Sequence, residues 1–180
     1  MDPQEEQKSV EQAQTDDSAF SNLYEHYLPK IYGYIHKRIG NKQIAEDLTS
    51  QTFLKAFENF SGFSGGSFKG WIYRIATNTV IDFYRTHKPV ESIEFHEDMP
   101  SQSPSPQDQA VEQNLRASVF IALRLLPEKY QRVLHLKFFA DLRNDEMALS
   151  LGITENNLGV LLYRALKQFQ KVYNNTKSHV

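Results

Sequence analysis

Apolar side chains recur three and four positions apart through most of this 180-residue chain, the spacing of one face of an α-helix. Asp16, Asp17 or Ser18 can cap a first helix carrying Phe20, Leu23, Tyr24 and Tyr27, with Pro29 predicting a kink or break. The spacing resumes at Ile31, Tyr34 and Ile35 and stops at Gly40. Asn41 can cap the next helix, which places Glu46 and Asp47 near its positive end and buries Ile44, Leu48, Phe53, Ala56, Phe57 and Phe60. A loop of Gly and Ser, 61–67, leads into a third helix over 68–85, whose core arc holds Ile72, Ile75, Ala76, Thr79, Val80 and Phe83.

That third helix also sets Trp71, Arg74, Asn78, Asp82 and Arg85 on one outward stripe. Two readings fit it. One is a packed Trp beside ion pairs such as Asp82–Arg85. The other is a surface for unstacked bases, because aromatic rings stack on bases, Asn bonds their edges and Arg holds phosphate.

The helical period is lost over 89–109, "PVESIEFHEDMPSQSPSPQDQ", which reads as a linker too poor in apolar surface to order itself. It returns through Val111, Leu115, Val119, Ala122 and Leu126, stops at Pro127, and resumes over roughly 128–139. Residues 142–170 have the spacing of a helix-turn-helix. Met147, Ala148 and Leu151 pack a short helix, Gly152 turns, Ile153 plugs the core and Thr154 caps the next helix. In that last helix Asn156, Val160, Tyr163, Arg164 and Lys167 lie opposite the core arc, with Gly159 at the edge. Asn suits adenine edges and an exposed apolar group suits a thymine methyl. No useful β alternation appears, so the predicted class is all-α: two small helical domains joined by a flexible acidic linker.

A net charge of −2 argues against a nucleic-acid partner until its distribution is read. Residues 1–18 and 88–113 each carry −5, whereas 19–87 carry +3 and 114–180 carry +5. Two basic modules are masked by two acidic segments that read as structure-poor. The chain has no Cys, which excludes disulfides and thiolate metal sites and points to a reducing compartment. The amino terminus lacks an apolar run and the longest one, 119–123, is too short to span a bilayer. A soluble, cytoplasmic protein is expected. The six His never pair at metal-ligand spacing, and no phosphate-binding glycine loop or nucleophile elbow occurs. No catalytic residue, metal or cofactor is assigned, and the chain is read as not an enzyme.

"AFSNLYEHYLPKIYGYIHKRIGN", "AEDLTSQTFLKAFENF", "FKGWIYRIATNTVIDFYR", "LPEKYQRVLHLKF" and "LGITENNLGVLLYRAL", in this order, resemble an extracytoplasmic-function sigma factor of the sigma-70 family. The resemblance implies an acidic tail (1–18), a region 2 domain (19–87), a linker (88–111), a region 4 helix-turn-helix domain (112–174) and a short tail (175–180). It implies core RNA polymerase as partner, through the beta-prime clamp helices and the beta-flap, together with promoter DNA and an anti-sigma factor. The protein would be a monomer on polymerase. Polymerase contact would fall to Glu46, Asp47, Ser50, Gln51 and Lys55. The minus-ten element would meet Phe63, Lys69, Trp71, Arg74, Asn78 and Arg85, with loop 59–67 receiving an extruded base. The minus-thirty-five element would meet Arg143, Asn156, Asn157, Gly159, Val160, Tyr163, Arg164 and Lys167. Ser50 and Gln51 stand where the family has Gln–Glu, and Gly159 where a basic residue is usual. The alternative reading is a one-component helix-turn-helix regulator whose amino-terminal helices dimerise or sense a ligand.

Overall fold

The computed structural model describes residues 1–87 and 106–177, and among these every regular element is helical. The helices are α1 (Pro3–Thr15), α2 (Phe20–Ile39), α3 (Lys42–Asn59), α4 (Phe68–Thr86), α5 (Pro106–Arg124), α6 (Glu128–Phe139), α7 (Asn144–Leu151) and α8 (Glu155–Lys177). The predicted linker lies outside the described residues up to 105, and α5 begins inside its predicted limits.

The amino-terminal module packs α2, α3 and α4 around Leu23, Ile31, Tyr34, Leu48, Ala56, Ile72 and Ala76. Gly40 closes α2 in the left-handed region (φ 74°), where its N–H bonds His36 O at 2.8 Å. Of the kink or break predicted at Pro29, the break does not occur, since α2 runs through it. Pro29 and Glu25 are both exposed, so the carbonyl that loses its intrahelical donor faces water, while buried side chains on both sides hold the two halves to the core. In α3 the buried face is partly Thr. Thr49 and Thr52 return their hydroxyls to Ala45 O and Leu48 O at 2.7 Å, and Phe57, expected inside, is 47% exposed.

The largest departure from expectation is at the amino terminus, where the acidic segment forms a packed helix. Asp2 caps α1 in a capping box with Glu5, Pro3 opens it, and Val10 and Ala13 are buried. Glu5, Lys8 and Glu11 face water, which is why composition reads as a solvated tail.

In the second module, Leu134, Leu136, Met147, Leu158 and Ala165 form the core. Gln131 Nε2 donates to Arg124 O (3.0 Å) and Leu126 O (2.8 Å) and closes the α5–α6 corner. Gly152 (φ 67°) makes the turn and Thr154 Oγ1 accepts from Asn157 N at 3.4 Å.

The modules meet at two joints. At one, α7 crosses the start of α4: Ser150 Oγ donates to Gly70 O at 2.9 Å, and Ser67 Oγ to Glu146 Oε1 at 2.7 Å. At the other, α6 lies on the end of α2, with Lys37 Nζ 5.0 Å from the Phe139 ring centre. Arg38 there is 2% exposed and none of its three guanidinium nitrogens has a hydrogen-bond partner; the same holds for Arg132 Nε and His135 Nδ1. Burial, reinforced by Arg38, holds the His135 imidazole down to about 3, so it is neutral at pH 7.

The sign follows directly. A His kept neutral by the fold contributes stability above its free value near 6.5 that is lost as pH falls towards about 3. By pH 5 the loss from His135 alone is roughly 2 kcal/mol. His135→Leu is expected to flatten the fall in denaturant-measured stability between pH 7 and 5, and an unchanged slope would place the acid sensitivity elsewhere.

Candidate nucleic-acid interface

Ser67 caps α4 by accepting from Gly70 N at 3.1 Å, which fixes the phase of the stripe along the helix. Trp71 is half-buried. One face packs against Phe63, Phe68 and Phe60, with ring centres 5.0, 5.5 and 6.3 Å away. The indole also lines a cleft of about 320 Å³ with Lys55, Asn59, Arg74, Asn78 and Thr79. Arg74 and Asn78 are exposed. At the other end, Arg85 Nη2 is 3.1 Å from Asp82 Oδ1. The stripe thus differs along its length: an open cleft towards the amino terminus, and the expected ion pair towards the carboxy terminus.

Two expected minus-ten residues are not free in this arrangement. Phe63 is 6% exposed, its ring locked in the aromatic cluster, so it can shape the loop but cannot itself stack on a base. Lys69 donates to Asp141 O and lies 3.8 Å from the Asp141 carboxylate. Sequence alone could not pair them, because the two residues belong to different modules.

On α3, Glu46, Asp47, Ser50 and Gln51 are all exposed and share one side of the helix. Lys55 does not join them. It is half-buried, donates to Thr79 Oγ1 at 3.3 Å and turns into the Trp71 cleft. The polar patch is extended instead by Leu54 (59% exposed) and Phe57, neither of which was assigned there from sequence. Leu54 falls outside the arc through Leu48, Thr52 and Ala56, a signal that an apolar residue was being kept outward. Asn59, in the cleft, was also missed.

On α8, Leu158 and Ala165 are buried while Asn156, Asn157, Gly159, Val160, Tyr163, Arg164 and Lys167 are exposed, as the helical phase predicts. A Cβ at Gly159 would meet nothing within 4 Å, so its absence is not required by packing. Lys167 Nζ rests 4.8 Å from the Tyr163 ring centre. Arg143 stands before α7 and is paired, its Nε and Nη2 donating to Asp145 at 3.1 and 2.8 Å. Among the described residues no cluster of three His, Asp or Glu could hold a metal ion. No described helix is long and apolar enough to cross a membrane.

The Sigma-70 region 2 model matches residues 23–90 and the Sigma-70, region 4 model residues 122–169, in the order and at the positions of the two modules. The chain belongs to the extracytoplasmic-function sigma factors of the sigma-70 family. It is 33% identical over 168 residues to the ECF RNA polymerase sigma factor BldN of Streptomyces coelicolor, covering 91% of this chain and 64% of that protein. With the ECF RNA polymerase sigma factor SigW of Bacillus subtilis it shares 28% over 167 residues, 87% of this chain and 89% of the relative. Its fold is that of the sigma factor RpoE, solved in complex with the anti-sigma factor NepR from Bartonella quintana (TM-score 0.64, 20% identity, 86% of this chain and 96% of that one). CnrH, solved in complex with the cytosolic domain of CnrY, gives a TM-score of 0.71 at 17% identity over 94% and 97% of the two chains.

The joint at Gly70 is testable in this sigma factor. A Cβ there would meet Leu149 Cδ2 at 3.0 Å and Glu146 O at 3.3 Å. Gly70→Leu is expected to part α4 from α7, raising the radius of gyration in X-ray scattering while helical circular dichroism stays unchanged. An unaltered scattering profile would mean that the joint accommodates the side chain.

Proposed function

We propose that this chain binds core RNA polymerase and directs initiation at a small set of promoters, with α4 and loop 59–67 reading the minus-ten element and α8 the minus-thirty-five element. The observation that carries the proposal is the Trp71 cleft. A half-exposed indole, the Asn78 amide and the Arg74 and Lys55 cations converge on one open space beside a glycine loop. An extruded base needs such a mixture of stacking face, edge partner and phosphate charge to offset the few kcal/mol lost on unstacking. The exposed Asn and apolar groups of α8 support an A/T-containing upstream element. The α3 patch supports the polymerase contact: Asp47 and Gln51 border Leu54 and Phe57, an apolar centre with a polar rim. The cytoplasm is the compartment such a partner requires, and an anti-sigma protein of the kind bound to the relative RpoE is a fitting regulator. Lys69 must leave Asp141 before it can reach DNA.

Transcription by the reconstituted holoenzyme tests these assignments. Asn78→Ala is expected to weaken discrimination at one minus-ten position by roughly 1–3 kcal/mol. Arg85→Ala should lower occupancy of every promoter alike and flatten the salt dependence. If Asn78→Ala leaves base preference intact while lowering thermal stability, Asn78 is a structural residue.

For the polymerase contact, Asp47→Arg should cut core affinity at least about tenfold, a like-charge or unpaired-charge cost of roughly 1.4 kcal/mol. The melting temperature should not move. Tight duplex binding by the free protein, with no dependence on polymerase, would favour the one-component regulator instead.

A further inference from the structure

The acidic helix α1 grips the base-receiving loop at two points. Gln14 Nε2 donates to Phe63 O at 2.9 Å, in the middle of the loop. At the loop's end, Glu6 Oε1 accepts from Phe68 N at 3.0 Å and from Lys69 N at 3.4 Å, the first two amides of α4. The other oxygen of Glu6 accepts from the Tyr27 hydroxyl, so the carboxylate is held on both sides. Between the two grips lie Gly65 and Gly66, both at positive φ (102° and 89°), where nothing would lie within 4 Å of an added Cβ. The stretch from 64 to 66 is exposed. Free backbone of this kind loses entropy when a ligand orders it, and fixing its ends beforehand reduces that loss.

The contacts also suit the electrostatics. The first turn of a helix has amides without intrahelical partners and a partial positive charge, and a carboxylate there satisfies both. Ser67 takes the Gly70 amide, and Glu6 takes the two before it. Val10 and Ala13 are buried on the same side of α1 as Glu6 and Gln14, which holds that face of the helix against the domain and sets both side chains at the loop.

We infer that α1 is a working part of the promoter reader: Glu6 and Gln14 are positioning residues that fix loop 59–67 and the first turn of α4 for base capture. The inference rests on the proposed role of that loop. Neither residue touches DNA in it. Both act through backbone atoms of Phe63, Phe68 and Lys69, so a side chain of the same length with an acceptor at the Glu6 position retains the effect. Glu6→Gln keeps a carbonyl oxygen for the two amides and removes the charge, whereas Glu6→Ala removes both.

The test is transcription by reconstituted holoenzyme from a promoter set carrying each of the four bases at each minus-ten position. Core affinity and melting temperature are measured for every variant. Glu6→Ala and Gln14→Ala are expected to reduce base discrimination roughly tenfold at the single position read by the loop, and nowhere else. Core affinity should be unchanged. Glu6→Gln is expected to keep discrimination near that of the parent. A uniform rise in binding to all promoters with both Glu6→Ala and Glu6→Gln would mean that Glu6 acts only by repelling DNA, and would overturn the inference. So would loss of core affinity and stability without a position-specific change. Asn78→Ala and Ser64→Pro separate the two levels of the argument. If they too leave discrimination intact, the loop is not the reader. If they abolish it while the Glu6 and Gln14 variants do not, the loop reads without help from α1.

Discussion

Every surface that α4 presents depends on where its first residue is held, and Phe68 holds it. The ring is wholly buried and meets five others, from Phe20, Tyr27, Phe60, Phe63 and Trp71, at centre distances of 5.4 to 6.4 Å. Edge-on and tilted aromatic pairs each favour a particular angle, so a cluster of six rings specifies an orientation as well as a depth. Phe68 thus locks the start of α4 against α2 and the loop together. One consequence is that Trp71, one turn further on, is left with one face packed and one edge on the cleft. Another is that the amides of Phe68 and Lys69 point out towards Glu6.

The two joints between modules are built differently from that cluster. At Gly70, small residues and hydroxyls let α4 and α7 approach closely, and the contacts are hydrogen bonds and one Lys–Asp pair. At Arg38, cationic and imidazole nitrogens are buried without acceptors, an arrangement that costs free energy rather than contributing it. Behind both joints the buried apolar side chains of the two modules run together as one cluster, from Leu23 and Ile72 to Leu134, Met147 and Leu158. Parting the modules would return Lys69, Ser67 and Glu146 to water but would also open that shared apolar cluster. The stripe at Arg74 and Asn78 is open in either case.

The all-α class, the limits of α2, α3 and α4, the helix-turn-helix and the exposed face of α8 were legible in the order of residues. The physical reason is locality: a 3.6-residue period, a cap and a glycine at positive φ are properties of neighbours along the chain. Asn41, Gly40, Gly152 and Ser67 act as such signals wherever they stand. The Trp71–Arg74–Asn78 stripe follows from the same phase. Where prediction failed, a distant contact outweighed the local signal. Pro29 stays inside a helix because buried neighbours clamp both halves, and acidic α1 orders because Val10, Ala13 and Glu6 find partners on the domain beside it. Lys55 turns from the α3 patch to Thr79, Phe63 turns inward to Trp71, and Lys69 turns to Asp141, each towards a residue at least eight positions away. The sequence by itself determined which helices form and which faces they keep polar. Only the tertiary structure decided which polar residues stay free, because a hydrogen-bond or ring partner across the fold is chosen by packing geometry that no local pattern encodes.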